Sequence, residues 1–104
     1  MARLKLIAEP TFPARVEVPL AGGAVAEVVM TFKHRTRTQL DEYIASRAGK
    51  TDVESFMEIV SGWDLEDEFT AANVELLLEN HIGAALAVYK TYLKELVGAR
   101  EKNS

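Results

Sequence analysis

Four carboxylates crowd the stretch Ser61-Gly62-Trp63-Asp64-Leu65-Glu66-Asp67-Glu68-Phe69-Thr70, beside the only tryptophan of a 104-residue chain. Carboxylates at that density bind a hard cation, exchange protons or simply solvate a connection between helices. Asp64, Glu66, Glu68, Thr70, Ala72 and Glu75 fall at relative positions 1, 3, 5, 7, 9 and 12, the ligand spacing of a calcium loop. Phe69, however, occupies the sixth position, where the sharp turn needs glycine, and glutamates stand where Asp or Asn fit. Thr70 also reads as a helix cap, which starts a helix inside the supposed loop. No metal is expected.

The other reactive residue types are scattered. His34 and His81 lie in no catalytic motif, and no serine sits in a nucleophile elbow. Gly22-Gly23 lacks the downstream helix and the Lys-Ser/Thr of a phosphate cradle. The absence of cysteine removes thiol nucleophiles, thiolate metal sites and disulfides. Neither an enzyme nor a cofactor is expected.

Capping rules turn most of the acidic stretch into a helix–loop–helix corner. Gly62 suits a left-handed stop after one helix, which makes Trp63 the next residue out, folding back near Met57. Phe69 precedes the cap Thr70, and Val74 stands at the fourth helical position, the spacing of a hydrophobic staple. Asp67 and Glu68 favour the positive end of that second helix. Asp64 and Glu66 remain surplus.

The elements around this corner follow from periodicity. Val16, Val18 and Leu20 alternate in one extended run, and Ala26, Val28, Met30 and Phe32 in a second. Gly22-Gly23 between them indicates a β-hairpin over 12–33. A two-residue loop would put the two apolar sets on opposite faces. An odd loop of three or five residues around Gly23, pairing Val18 with Val28 and Val16 with Met30, brings them together. Pro13 and Pro19 make the first strand an edge.

From residue 36 to 98 the period is helical. Leu40, Tyr43, Ile44 and Ala48 stripe a first helix that Gly49 ends. Thr51 and Glu54 form a capping box before the stripe of Val53, Phe56, Met57 and Val60. A third helix spans about Ala71 to Asn80 on Val74, Leu77 and Leu78. Ile82, Leu86, Tyr89, Leu93 and Leu96/Val97 stripe the last, which Gly98 closes, with Val88 and Tyr92 on a second apolar side. Residues 99–104 read as a frayed tail. The expected fold is α+β: one domain over 1–104, with an N-terminal β-hairpin followed by a bundle of about four helices.

Charge narrows the partners. The net charge of −4 argues against nucleic acid, which needs a basic surface. Residues 1–50 carry eight Lys/Arg and five Asp/Glu, whereas residues 51–89 carry nine Asp/Glu and no Lys/Arg. A purely acidic block following a basic half suits head-to-tail self-attraction, a basic partner or a solvated helix face. The cluster Lys33, Arg35 and Arg37 is the candidate self-contact, with a solvated junction as the alternative. No apolar run approaches the roughly 20 residues of a membrane span, and the first nine residues make a poor signal peptide.

The ordered combination of Phe-Lys-His-Arg-Thr (32–36), Gly-Trp-Asp-Leu-Glu-Asp-Glu-Phe-Thr (62–70), Asn-Val-Glu-Leu-Leu-Leu-Glu-Asn (73–80) and the run from Gly83 to Arg100 resembles tail assembly chaperones of long-tailed bacteriophages and prophages. The resemblance spans nearly the whole chain. It implies a small α+β protein without enzymatic activity that binds the helical tape measure protein and keeps it soluble. It further implies recruitment of tail tube protein, self-association, residence in the host cytoplasm and loss from the mature virion. A structural tail component retained in the virion is the runner-up. The resemblance also implies a longer product made by a −1 frameshift, for which Glu101-Lys102-Asn103 permits the slippery codons GAA-AAA-AAC. A client of this kind calls for exposed apolar helix surface rimmed by charge. Two patches qualify: Val88 and Tyr92 on the last helix, and the corner of Trp63 and Phe69 with Asp64 and Glu66.

Overall fold

The computed structural model describes residues 3–98; the tail 99–104, including the Glu101-Lys102-Asn103 run on which the frameshift expectation rests, lies outside the described residues. Strands β1 (Thr11–Pro19) and β2 (Val25–Lys33) form the expected antiparallel hairpin. Its loop is five residues long, as parity required, but is centred on Gly22. Val16 therefore pairs with Val28, Ala14 with Met30 and Phe12 with Phe32, each two residues from the expected partner. A shift of two keeps every side chain on its face, so the apolar sets still coincide. Gly22 and Gly23 both take positive φ, at 93° and 99°, which makes the off-centre turn possible.

Val16, Met30 and Phe32 are fully buried, whereas Arg15, Glu17 and Glu27 face solvent on the opposite side of the sheet. The Leu20 amide donates to the Ala24 carbonyl, so even-numbered amides of β1 point towards β2. The nitrogens of Pro13 and Pro19 therefore face the open edge, where neither has a proton to offer an incoming strand.

Helices α1 (Arg37–Ser46), α2 (Asp52–Ile59), α3 (Ala71–Asn80) and α4 (Ala84–Val97) complete an α+β fold. A short 3-10 turn carries the chain from Arg47 to Gly49 after α1. Side-chain caps start the first three helices. Thr36 and Gln39 form one capping box, Thr51 and Glu54 a second, and Thr70 accepts from the Asn73 amide. Gly98 closes α4 in the left-handed conformation, φ 74°.

Three expectations fail. Helix α2 ends at Ile59, not at Gly62, and the chain then forms strand β3 (Val60–Trp63) against β2. Gly62 is a strand residue opposite Thr31 and does not adopt positive φ. The β-branched pair Ile59-Val60 suits a strand as well as a helix, and the free edge of β2 offered unpaired amides. The sheet order is β1-β2-β3.

Helix α4 is the second correction. Ala84, Val88 and Tyr92 form its buried stripe, while Ile82, Leu86 and Val97 are 92%, 56% and 68% exposed. The face read as secondary is the one that packs on β1. Similarly, Ile44 and Ala48 of the first expected stripe lie exposed, and Tyr43 carries the burial there.

Candidate partner-binding surface

The basic junction between β2 and α1 is committed to the chain's own interior. The Tyr92 hydroxyl donates to the Lys33 carbonyl at 2.8 Å and accepts from Arg35 Nη1 at 3.2 Å. Arg35 Nη2 lies 4.0 Å from Glu58 of α2, and its guanidinium stands 4.8 Å over the Tyr43 ring. Lys33 Nζ donates to the Met57 carbonyl, and Lys50 pairs with Glu58. Arg35 thus meets an acid of the 51–89 block within its own chain, whereas exposed Lys33 reaches only a backbone carbonyl and Arg37 stands on the exposed start of α1.

Beneath this junction Phe12, Phe32, Tyr92, Tyr43 and Tyr89 form a continuous aromatic series with neighbouring centroids 5.5–6.4 Å apart. Arg47 caps its far end, 3.5 Å from the Tyr89 centroid. Burial raises the Tyr43 pKa above the ordinary phenol value, against the opposing pull of Arg47 and Arg35. Tyr92 and Val88 therefore belong to the core, where no partner can reach them.

The Trp63 corner is built differently from the expected helix ending. Trp63 leaves β3 opposite Met30, makes edge-on contacts with Phe56 and Phe69 at 6.5 and 5.0 Å, and donates from Nε1 to the Asp67 carbonyl at 2.8 Å. Phe69 is half-buried and Val74 fully buried in the same cluster. Asp64 is no longer surplus: its carboxylate accepts from the Val29 amide at 3.0 Å, and its own amide donates to the Val29 carbonyl at 3.1 Å. These bonds extend the β2–β3 ladder past Trp63. Glu66 remains on the exposed bend. Among the described residues, no group of three His, Asp or Glu side chains is gathered closely enough to hold a metal.

Two apolar surfaces were missed by the sequence reading. One is a groove of about 520 Å³ between the turn end of the hairpin and α3, lined by Val18, Leu20, Trp63, Leu65, Leu76 and Leu77, with Asp67 on its wall. The other is the outward stripe of α4, where Leu86, half-buried Leu93 and Val97 share one face at spacings of seven and four, continued by Ile82. The signal for the second was present as a two-sided apolar pattern, but the inward face was assigned to the wrong set.

Residues 1–103 match the profile of the phage tail assembly chaperone family. The chain belongs to that family. Comparison with curated proteins and with solved structures returned no match. Among the described residues, no helix is long and apolar enough to cross a membrane.

Proposed function

We propose that this phage tail assembly chaperone binds an amphipathic helical segment of the tape measure protein on the outward face of α4 and holds it soluble until tail tube protein assembles around it. The observation that carries the reading is the stripe of Ile82, Leu86 and Val97. It is a helix face with its apolar residues in solvent and Lys90 exposed among them. Leu86 and Val97 lie about 16 Å apart along the axis, three helical turns, enough for knobs-into-grooves packing with one client helix. Binding there needs no catalytic group or cofactor. The site of action on this reading is the host cytoplasm, and the protein leaves before the virion matures.

Co-expression with the cognate tape measure protein tests it. Wild type keeps the client in the soluble fraction, and Leu86→Asp/Val97→Asp loses it while keeping its own thermal midpoint. Undiminished client solubility with that variant overturns the α4 assignment. Detection of the protein at stoichiometric levels in purified particles overturns the chaperone role in favour of a retained tail component.

A further inference from the structure

The α3 wall of the groove presents one regular helix face. Asn73, Leu76, Leu77 and Asn80 all line the groove and stand at i, i+3, i+4 and i+7. That is the spacing at which one helix packs against another. Leu76 on this face is 59% exposed, and Leu65 of the Trp63 corner is 37% exposed.

Charge selects the visitor. Residues 51–89 contain no Lys or Arg, and among the described residues none lines the groove, where His81 is the base present. Asp67 does line it, Glu66 and Glu68 are exposed beside Asp67, and Glu79 is exposed three residues after Leu76. Among the described residues none of these acids has an ion-pair partner, whereas Glu9, Glu27 and Glu58 each have one. Glu75 and Glu79, one turn apart on α3, also repel each other. The two amide side chains on the wall already donate to the chain itself, Asn73 to the Glu68 carbonyl and Asn80 to the Leu76 carbonyl. Apolar surface edged by uncompensated negative charge is complementary to a helix whose leucines recur every three or four positions between lysines or arginines.

We propose that the α3 groove is a second docking site, which takes a basic amphipathic helix of a partner protein. It shares no residue with the α4 stripe and does not rest on the client reading. Contact with Leu65, Leu76 and Leu77 supplies affinity, and Asp67 and Glu79 supply orientation and a dependence on salt.

The chain carries its own reporter for this site. Trp63, its only tryptophan, lines the groove, and its Nε1 donates to the Asp67 carbonyl at 2.8 Å. A helix docked beside Asp67 therefore alters the surroundings of the indole and its emission.

The experiment is a fluorescence titration of the full chain with a synthetic peptide of about 14 residues, four helical turns. The peptide carries leucine at every third or fourth position and lysine elsewhere. Wild type gives a saturable shift of Trp63 emission that weakens with added salt. The same peptide with glutamates for lysines gives none. Leu76→Lys raises the dissociation constant about tenfold or more. Asp67→Asn/Glu79→Gln raises it about threefold or more. All three positions are exposed, so thermal midpoints stay at wild-type values. Leu86→Asp/Val97→Asp binds the peptide as wild type does, which separates this site from the α4 stripe. A Trp63 signal that does not respond at high micromolar peptide overturns the proposal. Equal binding of the glutamate peptide, or undiminished binding to Leu76→Lys, does the same. Two further results overturn it by giving the groove another occupant. Emission that changes with protein concentration in the absence of peptide marks a second copy. Tighter peptide binding by Leu4→Ser/Leu6→Ser marks the chain's own first residues.

Discussion

Tyr92 and Arg35 lie 57 positions apart in the chain and share a hydrogen bond of 3.2 Å from guanidinium to phenol oxygen. The same hydroxyl donates its proton to the Lys33 carbonyl. One side chain of α4 thereby locks the end of β2 to the start of α1. Tyr92→Phe keeps the ring and leaves the Lys33 carbonyl without its donor, which costs about 1–3 kcal/mol of stability. Urea unfolding shows a lower midpoint at unchanged m-value. Client solubilisation by the folded variant is unaffected, since the hydroxyl is inside.

Gly83 opens α4 against Pro19, and a Cβ placed on Gly83 would stand 2.6 Å from Pro19 Cγ. Gly83→Ala therefore destabilises the protein by about 1–3 kcal/mol, the more so because Gly83 is the N-cap of α4, where glycine is preferred to alanine. In a Pro19→Ala background most of that cost disappears, and the double-mutant cycle reads the coupling directly.

Asp64→Ala deprives the Val29 amide of its acceptor and shortens the β2–β3 ladder. A loss of about 0.5–1.5 kcal/mol is expected. Hydrogen exchange at Val29 is the specific readout: protection falls in Asp64→Ala and persists in Asp64→Asn, which keeps the oxygen.

The Thr51 backbone amide, donating at 2.8 Å, and then the Thr51 hydroxyl hold the Glu54 pKa below the ordinary glutamate value. A carboxylate with a lowered folded-state pKa contributes stability that is fully present above its unfolded pKa. That contribution is lost as pH falls through the lower folded value. Thermal midpoints of wild type and Glu54→Ala therefore converge as the solution is acidified through the glutamate range, and differ most near neutrality.

How much was legible in the sequence depended on the range of the interaction. The threonine caps of α2 and α3 act through amides three residues away, so local spacing determined them. Alternation in β1 and β2 likewise determined which hairpin residues point inward and the parity of the loop. The exact register was not determined, because a shift of two residues leaves every face unchanged and only the positive-φ turn of Gly22-Gly23 selects one.

The sequence by itself determined the α+β class, the starts of α2 and α3, the edge position of β1 and a resemblance that led to the right family. Only the tertiary structure decided which face of α4 is buried. Both of its apolar stripes are adequate by periodicity. The helix begins against Pro19, where only glycine fits at position 83, and with Ala84, Val88 and Tyr92 packed inward Ile82, Leu86 and Val97 are left outside. Tertiary contact also converted Val60–Trp63 into a strand, because the vacant edge of β2 supplied hydrogen bonds that no local signal in the acidic stretch foretold.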